Sequence, residues 1–194
     1  MELAFHRAPC NDTGYRFDIG IDFGATCSGV TVKITDKTNG PGPYQSVASW
    51  PQPSAGHHPP ATACKTPTRL SLSSPSLGTS EPVLWGSQVP DDGESLRWFK
   101  LGLVHEDDLA EDPFDGFLQD VQESTELDDA KTLRRQHHTT ATKVCKVYLS
   151  KLASHVLEYI ALKTGLTMAQ VLASELHFVV GVPANWQTAT LARL

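Results

Sequence analysis

The residues best equipped for chemistry follow one another closely: the carboxylate Asp22, the glycine Gly24, and the hydroxyls Thr26 and Ser28. They lie in the run Asp18-Ile19-Gly20-Ile21-Asp22-Phe23-Gly24-Ala25-Thr26-Cys27-Ser28-Gly29-Val30, which alternates apolar and other residues up to Asp22 and breaks at Gly24. Alternation resumes with Val30, Val32 and Ile34, which predicts two strands joined by a tight turn. Glycine lets a backbone approach a ligand closely, and successive turn N–H groups form an anion-binding concavity. A neighbouring carboxylate suits hydrated Mg²⁺, which is usually bound through one or two carboxylates and several waters. The chemistry is that of a nucleotide-phosphate loop; the alternative is an ordinary hairpin with a glycine turn. The two commonest phosphate motifs, G-x-x-x-x-G-K-[ST] and G-x-G-x-x-G, do not occur.

Several elements must position this loop. Residues 1–15 carry no periodicity and read as a flexible leader. The hairpin spans about residues 16–36, Asp36 to Pro43 read as turn or loop, and Tyr44 to Trp50 as a third strand of an antiparallel meander. Residues 51–80 are rich in Pro, Ser, Thr and His and read mostly as loop, with a short edge strand at Lys65-Thr66-Pro67-Thr68-Arg69-Leu70. Pro82-Val83-Leu84-Trp85 gives another short strand, and Ser95 to Leu103 a short helix. From Thr139 to Lys163, Cys145, Tyr148, Leu149, Leu152, Val156, Tyr159 and Ile160 recur at spacings of three and four, one apolar helical stripe stopped by Gly165. Glu175 to Val182 is nearly all apolar, as expected of a strand buried in the middle of a sheet. Pro183 ends it, and Asn185 is placed to cap a helix beginning at Trp186.

Composition excludes some classes of function. With 40% apolar and 20% charged residues and a net charge of −6, the chain favours neither nucleic acid nor an anionic membrane as partner. No apolar run approaches the roughly 18–20 residues that span a bilayer, and no signal peptide is evident. The four cysteines are widely spaced and read as free thiols in a reducing compartment, the cytoplasm by default. Between His105 and Asp129 lie eleven of the 22 acidic residues and no Lys or Arg. With Gly116 at the turn, the ligand positions of a calcium loop fall on Glu111, Pro113 and Asp115 and fail the pattern, so this block reads as a solvated insertion. His57-His58 and His137-His138 lack partners at zinc-type spacing, and no serine has nucleophile-elbow context. Cys27 reads as an inert, partly buried cysteine, with a low-pKa thiol at a positive turn as the alternative, and Trp85, Trp98 and Trp186 read as packing residues.

The run from Ile19 to Val30 resembles the phosphate-1 signature of the ATPase superfamily that contains actin, sugar kinases and the 70-kDa heat-shock chaperones. It looks most like the divergent heat-shock-70-like proteins common in fungi. Three further stretches agree in order: Lys65-Thr66-Pro67-Thr68; Val83-Leu84-Trp85-Gly86 with Arg97-Trp98-Phe99-Lys100-Leu101; and the long helix followed by Phe178-Val179-Val180-Gly181-Val182-Pro183-Ala184-Asn185-Trp186.

The resemblance implies an α/β fold, the ribonuclease-H-like first lobe of an actin/heat-shock-70 ATPase, with a mixed sheet that begins as an antiparallel meander. Residues 16–194 would form a partial nucleotide-binding domain, C-terminally truncated, with 51–130 an irregular inserted subdomain that includes the acidic segment 105–129. ATP or ADP with Mg would be the cofactor. Asp22 would position the metal through water, Gly24, Ala25, Thr26 and Cys27 would line the phosphate turn, and Pro183 would be the hinge between lobes. Ala25 stands in place of a usual threonine. Gln88 falls where the family's catalytic lysine is expected, Lys100 is only the nearest later lysine, and no catalytic residue is assigned. The implied partners are nucleotide and protein clients or co-chaperones. The alternative is a catalytically inactive interaction module, or a truncated product, of the same family.

Overall fold

Alternation in the first hairpin sorts its side chains onto two faces. The computed structural model describes residues 13–52, 63–71, 83–90, 95–104, 123–183, 186, 190 and 192. Strand β1 (Tyr15–Phe23) buries Phe17, Ile19, Ile21 and Phe23 and turns Arg16, Asp18, Gly20 and Asp22 the other way. Strand β2 (Cys27–Asp36) pairs antiparallel with it in the register Phe17↔Ile34, Ile19↔Val32, Ile21↔Val30 and Phe23↔Ser28, which puts the apolar residues of both strands on one face. Asp36 closes the next turn by accepting from the Thr38 N–H at 2.8 Å and from Asn39 Nδ2 at 2.6 Å, bonds that hold its carboxyl below the usual range.

The third strand arrives earlier than the sequence suggests. β3 (Gly40–Ser46) contains Pro41 and Pro43, residues read above as turn, and Tyr44 is followed by only two more strand positions. Proline is tolerated there because, among the described residues, β3 pairs with β2 alone and lies at the sheet edge. β4 (Lys65–Pro67) pairs antiparallel with the start of β2, so the expected short edge strand is present, three residues long. β5 (Leu70–Ser71) and β6 (Ser95–Leu96) form a separate two-stranded ladder, and Trp85 adds one bridge to Leu70. The helix expected over Ser95–Leu103 is therefore corrected to a strand followed by a 3-10 turn at Leu101–Leu103, and the strand expected before Gly86 to that single bridge.

Helix α1 (Thr125–Gln136) begins inside the stretch read as irregular. Its N-cap Ser124 accepts from the Leu127 N–H, and Glu126 and Asp128 occupy its first turn, where acidic side chains favour the positive end of the helix. Part of the acidic bias is thus a helix start. Helix α2 (Ala141–Thr164) is capped by Thr140 and ends at left-handed Gly165, the stop that the sequence predicts. It buries Val144, Cys145, Tyr148, Leu152, Val156 and Ile160 in one core with the inner residues of β1 and β2. Each large apolar side chain so buried stabilises the fold by roughly 1.5–3 kcal/mol. A short helix α3 (Met168–Ala173), started by a Thr167/Gln170 capping box, leads into β7 (Glu175–Gly181).

β7 runs parallel to β1, giving a mixed sheet of order β3-β2-β1-β7 in which all other pairings are antiparallel. The molecule is mixed α/β. The expectation of a mid-sheet, fully buried β7 is not met among the described residues. The strand pairs with β1 alone there, packs Leu176, Phe178 and Val180 against the core, and leaves Val179 61% exposed on the opposite face. No helix among the described residues is long and apolar enough to cross a membrane. The leader expected at 1–12, the loops at 53–62 and 72–80, the acidic run at 105–122 and the Asn185 cap lie outside the described residues.

Candidate functional site

Register places Asp22 in an unusual gap. It is an outward-facing residue near the end of β1, and its neighbour across β2 is Gly29 while its neighbour across β7 is Gly181. Neither flanking strand therefore puts a side chain beside it. Lys65 fills part of the gap from β4, where it stands opposite Gly29, and its Nζ donates to Asp22 Oδ2 at 2.8 Å. A Cβ on residue 29 would meet Lys65 Cγ at 3.3 Å, so glycine there gives the lysine stem room to lie across the strand. Both charged side chains remain exposed, and hydrogen bonding to Asp22 raises the Lys65 pKa. The pair lies in an open cleft of about 420 Å³ lined by Gly20, Asp22, Gly29, Thr31, Lys65 and Gly181.

The turn beyond Asp22 is closed by its own backbone. A Cβ at residue 24 would come within 2.1 Å of the Cys27 carbonyl oxygen, so only glycine fits. Gly24 is thus required by the turn itself, a separate reason from the close ligand approach inferred from sequence. The Thr26 carbonyl accepts from the Thr68 N–H at 2.7 Å, which fastens the turn to the chain just after β4. The amides of Gly24, Ala25 and Thr26 make no hydrogen bond with any described residue. Unpaired main-chain N–H groups in succession are able to receive an anion. Thr26 is exposed, and so is Cys27, which corrects the expectation of a partly buried cysteine; Ser28 is fully buried and shares a 2.7 Å hydrogen bond with Thr68, which removes its hydroxyl as a candidate ligand.

Beneath the turn sits a group that sequence reasoning set aside. Lys100 is only 6% exposed; its Nζ donates to the Phe23 carbonyl and lies 5.2 Å from the Phe23 ring centroid and 5.1 Å from that of Trp186. Burial lowers its pKa, while the charge of Asp22 acts in the opposite sense. Gln88, by contrast, ends a 3-10 turn (Gly86–Gln88) whose main-chain bonds are local. Tyr148 stacks on Phe23 at 6.0 Å and donates from its hydroxyl to the Pro67 carbonyl at 3.3 Å; burial pushes its pKa up to about 12. Trp85 and Trp186 are buried, as expected of packing residues.

The structure thus gathers Asp22, the Gly24–Cys27 turn and, through the pairing of Asp22 with Gly181, the segment leading to Pro183 at one end of the sheet. Pro183 is half-buried, and its carbonyl accepts from the Trp186 N–H at 3.1 Å. Sequence reasoning missed Lys65 as a partner of Asp22 and set Lys100 aside, since only pairing across 43 and packing across 77 positions bring them to β1. Among the described residues no group of three His, Cys, Asp or Glu side chains is arranged to hold a metal. In comparisons with known proteins, no family model, curated protein or solved structure matched this chain.

Proposed function

We propose that the chain is a nucleotide-binding lobe of the actin-like ATPase type, nearest to the heat-shock-70-like proteins, and that it takes ATP or ADP with the phosphates over the Gly24–Cys27 turn. One observation carries the reading: a carboxylate flanked on both sides by glycine stands next to a turn whose amides have no partner among the described residues. An antiparallel meander followed by a long helix and a parallel strand supports a ribonuclease-H-like first lobe. Asp22, Gly24, Ala25, Thr26 and Cys27 are the nucleotide-side residues and Pro183 the hinge. Protein clients or co-chaperones and a cytoplasmic setting belong to the same reading. Binding without turnover fits the residues better than hydrolysis, because Gln88 carries no charge to stabilise a transferring phosphoryl group and Lys100 is committed to the Phe23 carbonyl.

The family would bring magnesium with the nucleotide, and Asp22 is the carboxylate that would hold its water. The fit is poor, because the Lys65 ammonium already bonds that carboxylate at 2.8 Å.

The test is a thermal melt with ATP, paired with amide chemical shifts. At about ten times Kd, a ligand selective for the native state adds about 1.4 kcal/mol. In a chain of this size that raises Tm by about 3–6 °C. The amides of Gly24 to Cys27 should shift with ATP and not with adenosine. A cooperative melt that ATP leaves unmoved, with those amides unchanged, sinks the reading and leaves the interaction module.

A further inference from the structure

The cation at this site belongs to the protein. We propose that Lys65 rests on Asp22 while the cleft is empty and passes to a phosphate oxygen when a polyphosphate enters, so that the anion is held without a divalent metal. This rests on the preceding reading of the turn and goes beyond it in naming what neutralises the ligand.

Three observations support the assignment. Asp22 has glycine on both neighbouring strands and, among the described residues, belongs to no group of three His, Cys, Asp or Glu side chains, so of the strands beside it only β4 brings a charge, Lys65, to the carboxylate. Lys65 is bonded to Asp22 Oδ2, so an ammonium tethered to the same sheet already neutralises the carboxylate and would repel a divalent cation beside it. The ion pair is exposed on both sides, and pairs of this kind exchange partners at little cost. Lysine is a compact charge on a flexible stem and a common phosphate ligand. Gly29 leaves the stem free to swing along β2, and the amides of Gly24 to Thr26 stand at the same end of the sheet as neutral donors. A phosphate in the cleft would meet this ammonium, and a chain long enough to leave the cleft would meet the turn at the end of β1.

Calorimetric titration of the full chain with ATP, in excess EDTA and in MgCl₂, tests this with two variants. Wild-type affinity in EDTA should lie within about threefold of that in magnesium, and Lys65→Met should lower the EDTA affinity by about tenfold or more. Asp22→Asn should tighten metal-free binding, because it frees the lysine and removes a negative charge facing the phosphates. The opposite pattern would overturn the inference and keep the nucleotide site: affinity lost in EDTA, lost again in Asp22→Asn, and untouched in Lys65→Met. Wild-type chain that binds ATP in neither buffer overturns both readings. Mn²⁺ alone gives a readout without nucleotide. It should broaden the Gly29 and Gly181 amide resonances at about tenfold lower concentration in Lys65→Met than in wild type. Equal broadening in the two proteins counts against a resident lysine.

Discussion

Two carboxylates of β1 face the same way four residues apart, and their surroundings have little in common. Asp18 stands between Lys33 and His177 across the neighbouring strands. It accepts from Arg16 Nε at 2.9 Å and Nη2 at 2.8 Å, and His177 in turn reaches Glu175 at 2.9 Å. Asp22 stands between two glycines and, among the described residues, forms an ion pair with Lys65 alone. The undersides differ as well, since the Asp22 end rests on a buried lysine and a tyrosine that both engage Phe23. The same residue type on the same strand thus serves a crowded surface network at one end and an accessible, lightly neutralised site at the other. What decides is the neighbour across the ladder.

The largest effect should come from breaking the turn that terminates the Asp22 end. Gly24→Ala places a methyl carbon against a carbonyl oxygen that cannot rotate away, a clash at 2.1 Å in the present backbone. A loss of about 3 kcal/mol is expected, as for severe overpacking. Tm should fall by about 6–12 °C. Gly20→Ala is the matched control between the two carboxylates, because its Cβ would meet only the Thr31 carbonyl at 3.9 Å. It should be neutral or stabilising by up to about 1 kcal/mol, through reduced freedom of the unfolded chain. Equal losses in both variants would mean that the turn is not specially constrained.

Alkali should weaken the underside of the same end next. Burial pushes the Cys145 thiol from 9.0 up to about 12 in the folded chain. The unfolded chain therefore loses this proton first, so the contribution is complete below pH 9 and disappears as the pH climbs towards 12. At pH 10.5 the loss is about 2 kcal/mol. Tyr148, also raised to about 12, adds to it in the same direction. Lys100 acts oppositely: its lowered pKa means that the folded state sheds the ammonium proton before the unfolded state does, which adds stability as the pH approaches the ordinary lysine value. Urea midpoints at pH 7.5, 9 and 10.5 should fall in wild type and fall less in Cys145→Val. Equal falls in wild type and Cys145→Val between pH 9 and 10.5 would show that the thiol is not sequestered as the packing implies.

These contrasts also explain what could be read in advance. The alternation of Phe17, Ile19, Ile21, Val30 and Val32 declared the hairpin and its buried face, and the stripe from Cys145 to Ile160 declared α2, because each pattern is local and has a period. β3 was hidden by Pro41 and Pro43, which signal a turn unless the strand is known to lie at an edge. α1 was hidden by an acidic run that also serves as a helix N-terminus. Asp22 and Gly24 were legible as a carboxylate followed by a glycine break, but Lys65 and Lys100 were not. No spacing rule links residue 65 or residue 100 to residue 22; β4 pairing and the packing of Phe23 make that link. Ser28 shows the converse, a polar residue of promising type that burial assigns to structure.

The smallest effect is expected at the crowded end. Asp18→Asn removes the negative charge to which Arg16 Nε and Nη2 both donate, and which His177 Nδ1 approaches at 3.8 Å, while leaving an amide oxygen able to accept. Yet the Arg16 side chain is 42% and that of Glu175 46% exposed, so water is ready to replace what is lost. Surface pairs of this kind contribute little, and Tm should move by less than about 2 °C. ATP affinity should not change, because the Asp22 cleft is lined by neither Asp18 nor Arg16. A drop of 5 °C or more would make the Arg16–Asp18–Glu175–His177 network a structural clamp. The contrast between the two carboxylates would then rest on stability rather than on access. If the drop came with weaker ATP binding, the whole open face of the sheet, and not its Asp22 end alone, would be the functional surface.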